Sequence, residues 1–98
     1  MNELEFRIFL ANRNTPKKVQ SDIVSRLKKL QRELNNCDID KCYRKDKCAQ
    51  LLSVFENKGI NSNMNKYKDV DLPIGKYHLS TYKYALKQYV DFLDSTQN

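Results

Sequence analysis

Between Thr15 and Asn35 the chain places Val19, Ile23, Val24, Leu27, Leu30 and Leu34 at steps of one, three and four. That spacing lays one apolar stripe along a 3.6-residue helix and does not fit the two-residue period of a strand. Thr15 can cap the helix with its side-chain oxygen. Pro16 suits the first helical position, where a missing N–H costs nothing. A helix over 16–35 follows, with Lys17, Lys18, Arg26, Lys28, Lys29 and Arg32 on its other faces against only Asp22 and Glu33.

A stripe of this kind needs apolar partners, and three further segments offer them. Near the C-terminal end, Leu79, Tyr82, Leu86, Tyr89, Val90 and Leu93 repeat the helical period over 79–95. Ser80 or Thr81 is placed to cap that helix. Lys83 and Lys87 share one of its faces, with Lys76 just upstream and the acids Asp91 and Asp94 arriving only at the end. Tyr82 and Tyr89 are expected in the core, and Tyr84 nearer the outer face.

At the N-terminal end, Leu4, Phe6, Ile8 and Leu10 alternate as a strand would. Phe6, Phe9, Leu10 and Arg13 fit helical turns better, and a helix over 3–12 is expected with Phe6, Phe9 and Leu10 facing inward. A third helix is expected over 46–58, lined by Cys48, Leu51, Leu52 and Phe55 and stopped by a left-handed Gly59. NNCDIDKCYRKDK reads as a polar connector anchored by Ile39 and Tyr43. The Asn-, Lys- and Asp-rich stretch over 60–76 reads as a loop. It is long for a compact domain, which makes it either mobile or a contact element. The terminal STQN reads as a fraying tail or the start of a linker.

The expected fold class is therefore all-α, one helical domain over 1–98. Glycine and proline, two of each in 98 residues, are too scarce for a turn-rich β-sandwich or barrel. The 40% of apolar residues fill one modest core and leave no deep cofactor cavity. No apolar run approaches the length that spans a bilayer. The first residues, MNELEFRIFLANR, lack a basic leader and a small-residue cleavage site, so no signal peptide is expected. Three cysteines in such a chain point to free thiols in a reducing, cytoplasmic setting.

The chemistry the residues can support is narrow. Cys37, Cys42, Cys48 and the single histidine, His78, form a conceivable zinc set, but there is no C-x2-C knuckle and His78 lies thirty residues on. Cys48 fits an apolar stripe instead, where a thiol acts as a small hydrophobe. Asp38 with Asp40, and Asp69 with Asp71, are D-x-D pairs of the kind that form turns. With no Gly-rich phosphate loop, no Ser-His-Asp grouping and no Arg and His set around a tyrosine, the expectation is no catalytic residue, no metal and no cofactor.

What remains is charge. The formal net charge is +6 and the pI about 9.3, which favour a polyanion, either nucleic acid or an anionic membrane surface. If the second and last helices pack side by side, their outer faces can form one positive surface that binds phosphates with little regard to sequence. No helix presents a cluster of Arg, Asn and Gln suited to major-groove reading.

EFRIFLANRNTPKKVQSDIVSRLKKLQREL, then DIDKCYRKDKCAQLLSVFENKG and LSTYKYALKQYVDFL, resemble the SAM-like core-binding domain of phage integrases and tyrosine recombinases. Similar domains head bacterial restriction and phage-defence proteins. The matching positions are Phe9-Leu10, the Thr-initiated second helix, and Thr81, Tyr82, Ala85-Leu86, Tyr89 and Phe92-Leu93; the stretch over 60–75 is longer than the pattern. The resemblance implies a compact four-helix orthogonal bundle with one long loop before the last helix. It further implies contacts to double-stranded DNA from Lys17, Lys18, Arg26 and Lys29 on the second helix and from Lys83 and Lys87 on the last. Lys76 and Tyr84 join them as neighbours able to touch phosphate or base. The recombinase catalytic domain is absent, so the expected role is a binder that stands alone or heads a longer protein. The alternative is a protein-interaction or dimerisation module docking through its last helix.

Overall fold

The computed structural model describes residues 1–96, and these are helical with no strand among them. Six α-helices follow in order: α1 (Glu3–Asn12), α2 (Lys17–Glu33), α3 (Ile39–Asp46), α4 (Ala49–Ser53), α5 (Ser62–Asn65) and α6 (Ser80–Thr96). Short 3-10 turns at Glu56–Gly59 and Tyr77–Leu79 precede α5 and α6. No helix is long and apolar enough to cross a membrane.

The core is the meeting of the two long helices. Ile23, Val24, Leu27, Leu30 and Leu34 of α2 are buried, as are Ala85, Leu86, Tyr89 and Phe92 of α6. The expected stripe on α2 therefore holds except at Val19, which is exposed. Helix α1 closes one end with an aromatic cluster. Phe6 meets Tyr89 edge-on at 5.0 Å between ring centroids and Phe92 at 5.6 Å. The Arg13 guanidinium covers the half-buried Phe9 ring at 4.6 Å, a cation–π contact that shields apolar surface from water.

The third expected helix is where sequence and structure part. A helix over 39–46 stands inside the expected connector, and a continuous helix over 46–58 does not form. The reason is a slip in phase. Ile39 and Tyr43 point inward, and an unbroken helix would bring residues 46, 47 and 50 in next. Those are Asp46, Lys47 and Gln50, whereas the apolar set resumes at Cys48, Leu51, Val54 and Phe55. Left-handed backbone at Lys47 (φ 56°) and Cys48 (φ 65°) breaks the helix and re-aims the chain. Asp38 caps α3, its carboxylate accepting the Lys41 N–H at 3.3 Å.

The Asn-rich stretch is likewise more ordered than a plain loop. Asn61 accepts the Met64 N–H at 2.9 Å and donates through its amide to the carbonyls of Val54 and Glu56 at 3.0 and 2.7 Å. It thereby caps α5, and Met64 and Leu72 anchor the segment in the core. Two expected caps are also corrected. Pro16 takes the N-cap position of α2, and no side chain caps that end. The buried Gln20 amide reaches back to the Thr15 carbonyl at 2.7 Å instead. At α6 the 3-10 turn runs directly into the helix, and the Thr81 hydroxyl donates to the His78 carbonyl at 2.8 Å, so neither Ser80 nor Thr81 serves as a cap. Of the terminal STQN, Ser95 and Thr96 continue α6; Gln97 and Asn98 lie outside the described residues.

Candidate nucleic-acid interface

The basic residues divide into those already matched by acids and those that are not. On α2, Lys18 lies 3.6 Å from Asp22, Lys28 2.7 Å from Glu3 and Lys29 3.4 Å from Asp71. Lys28 and Arg7 together hold the Glu3 carboxyl below its usual range. Lys17 and Arg26 have no acidic partner among the described residues, but nine residues of helix set them about 180° apart. Of the four expected contacts on α2, Lys18 and Lys29 each lie beside an acid and Lys17 and Arg26 do not, and Lys17 stands across the helix from Arg26.

Helix α6 has a different distribution. Its outer face carries Lys83 and Lys87 in the first half and Asp91 and Asp94 in the second. The acidic half is engaged within the fold. Arg13 reaches Gln88 at 3.0 Å and Asp91 at 3.3 Å, and the Tyr43 hydroxyl donates to Asp94. Lys83 and Lys87 have no carboxylate partner among the described residues. Tyr84, 52% exposed, stands one turn from both Ser80 and Lys87.

A residue absent from the expected set completes the arrangement. Lys58 joins Lys76 and Lys83 around a concavity of about 150 Å³ whose other walls are Phe55, Leu79 and Ser80. No acid lines it. Lys76 also faces a shallower depression shared with Lys29, Asp71, Leu72, Pro73, His78 and Tyr82. The structure thus gathers Lys76 and Lys83 around one concavity, with Lys87 one turn along α6. It joins Lys29 to this group only through its ion pair with Asp71, and leaves Lys17, Lys18 and Arg26 elsewhere on α2. Lys58 escaped notice because 46–58 read as one helix. The signal was present in Asn57-Lys58-Gly59, a turn sequence that puts the lysine at a corner.

Local backbone explains the corner. Asn57 and Lys58 are left-handed at φ 52° and 56°, and Gly59 follows at φ 85°. A Cβ on Gly59 would lie 2.9 Å from Leu79 Cδ2, so the absent side chain lets the two 3-10 turns close on each other. The Gly75 N–H donates to the Lys58 carbonyl at 2.7 Å and fixes Lys76 one residue away.

The other candidate groups have structural duties. Asp40 accepts the Tyr89 hydroxyl at 2.7 Å and lies 3.0 Å from the Met1 amine, while the Asn2 N–H donates to the same Tyr89 oxygen at 3.0 Å. Burial, then the bond to Asp40, pushes the Tyr89 phenol well above its ordinary value. Asp69 is a left-handed turn residue, and the Asp71 N–H donates to Glu33 at 2.7 Å. Cys48 is fully buried, its thiol on the Ile39 carbonyl at 3.6 Å. Cys37 and Cys42 line a separate hollow of about 180 Å³ with Lys45, Lys66 and Tyr67. His78 lies at neither place. Burial raises all three thiols, Cys37 to about 11 and Cys48 to about 12.

Compared with protein-family models, characterised proteins and solved structures, the chain matches none.

Proposed function

We propose that this chain is a non-catalytic DNA-binding domain that grips phosphates with the first half of α6 and directs an effector in recombination, restriction or phage defence. The observation that carries this reading is the group of Lys58, Lys76 and Lys83 around one concavity that no acid lines, with Lys87 one turn along α6 and Tyr84 exposed beside them. Lysines without intramolecular partners keep their full charge for a polyanion, and each phosphate they meet releases counterions. The likeness of the helix pattern to SAM-like core-binding domains supports the same role, with the DNA contacts moved from α2 toward α6 and the turn at Lys58. The test is binding to a labelled random duplex across a salt series, with a Lys83→Glu, Lys87→Glu double variant alongside. Micromolar binding that weakens steeply with salt and collapses in the variant supports the reading. No binding by the folded wild-type chain at low salt removes it.

A protein-interaction role has one observation of its own. Tyr89 and Phe92 are buried, so α6 offers no broad apolar face, but Leu4 (69% exposed) and Ile8 (47%) stand one turn apart on the outside of α1. A dimerisation or adaptor surface would lie there. Concentration-dependent sedimentation that Leu4→Glu abolishes would favour it.

A further inference from the structure

Resting on the DNA-binding reading, the three-lysine concavity narrows the ligand. Lys58, Lys76 and Lys83 come from three separate segments: the 3-10 turn after α4, the extended residue before the second turn, and α6. Their convergence depends on particular features. Gly59 yields its Cβ volume to Leu79, and the Gly75–Lys58 backbone bond clamps the two turns together. Lys58 occupies a left-handed conformation that a side-chain-bearing residue adopts only at some cost. No acid lines the hollow to offset the three lysines.

The hollow also sets a size. At about 150 Å³ it is smaller than the sites that enclose drug-sized ligands and has ample room for a single phosphoryl group. The Ser80 hydroxyl adds a neutral donor on the wall, and Phe55 and Leu79 form an apolar floor. Two exposed tyrosines neighbour its lining residues: Tyr77, 81% exposed and next in sequence to Lys76, and Tyr84, one helical turn beyond Ser80.

We propose that this concavity receives the terminal phosphomonoester of a DNA strand, and that the neighbouring base stacks on Tyr84. A phosphodiester inside a duplex carries one charge and is flanked by chain on both sides, so it presents only two free oxygens to the lysines. A terminal phosphate carries a second negative charge near neutral pH, exposes three oxygens and has chain on one side only. That is the form that three lysines and a hydroxyl around one concavity suit best. Stacking on an exposed tyrosine is tolerant of base identity, so the site reads an end rather than a sequence.

The experiment compares a short duplex, and one of its strands alone, each bearing a 5′-phosphate, a 3′-phosphate or hydroxyls at both ends. Anisotropy is measured at fixed ionic strength on the whole chain. Amide chemical shifts with inorganic phosphate provide a probe free of DNA. The expected result is about tenfold tighter binding for one phosphorylated end. Lys58→Gln should remove that preference, while hydroxyl-ended DNA loses no more than the one phosphate contact that Lys58 makes. Lys58→Gly, which relaxes the backbone, should do the same and so separates loss of charge from loss of fold. Tyr84→Ala should weaken the oligonucleotides but leave the shifts caused by inorganic phosphate at Lys58, Ser80 and Lys83. Equal affinity for phosphorylated and hydroxyl ends overturns the proposal and leaves general DNA binding standing. No affinity for any oligonucleotide, even if inorganic phosphate binds, overturns both.

Discussion

Single residues do two unlike jobs in this chain, and burial separates them. The three thiols stay protonated to higher pH than free cysteine because burial penalises the thiolate. In the folded state Cys48, fully enclosed, should react with a thiol reagent at pH 8 only as fast as the domain unfolds, with Cys42 reacting first; mass spectrometry after timed labelling reads this. The same shifts set an alkaline limit. A group whose folded pKa is raised contributes stability below its unfolded value and loses it as pH climbs through the folded one. For Cys37 and Cys48 that window opens near pH 9 and runs to about 11 and 12. Tyr43, raised to about 12 first by its bond to Asp94 and then by burial, adds to the loss above pH 10. Melting temperature should therefore hold up to about pH 9 and fall steadily beyond it. At Tyr89 the hydroxyl ties α6 to Asp40 of α3 and to the Asn2 amide. Tyr89→Phe should cost about 1–2 kcal/mol, read as a drop of about 5–15 °C in Tm for a domain of this size.

At the scale of elements, the long helices were legible and the short ones were not. The stripes of α2 and α6 each repeat over many residues, so one misplaced position such as Val19 does not alter the pattern. Helices α3 and α4 are eight and five residues long, too short for periodicity to reveal the phase slip at Lys47-Cys48. Left-handed lysine and cysteine carry no turn signature. Helix α5 depends on one Asn61 side chain bonded in three directions, which composition alone reads as loop. The candidate site suffered in the same way. Lys83, Lys87 and Tyr84 could be placed from α6, Lys76 from its flank, but Lys58 belongs to a corner whose Asn57-Lys58-Gly59 signal is hidden when 46–58 is read as one helix. That corner is also the element most sensitive to a small change. Gly59→Ala should destabilise by about 1–2 kcal/mol, chiefly from the positive φ, since Leu79 Cδ2 can shift. Chemical denaturation measures this, and an unchanged midpoint would contradict the close fit of the two turns.

Across the whole molecule, about 36 × 29 × 20 Å, basic residues without an ion-pair partner among the described residues include two groups. One lies on and just after α3, Arg44, Lys45 and Lys47, and another at the first half of α6, Lys58, Lys76, Lys83 and Lys87, while the acids at the far end of α6 stay within internal bonds. Binding at the first half of α6 should show a log–log salt slope of about −3 to −4, as four lysines on phosphates require. The Lys83→Glu, Lys87→Glu variant should lose about half of it. A Lys17→Gln, Arg26→Gln control should change the slope little, because Lys17 stands across α2 from Arg26. The left-handed lysine at position 58 has a further consequence for anyone improving this protein. Glycine there would relieve the backbone and gain about 0.5 kcal/mol, so a library selected for heat resistance would enrich Lys58→Gly and discard one wall of the anion hollow. Survivors of such a screen would be hardier and, on the proposed reading, deaf to DNA ends, with their melting curves giving no warning of the loss.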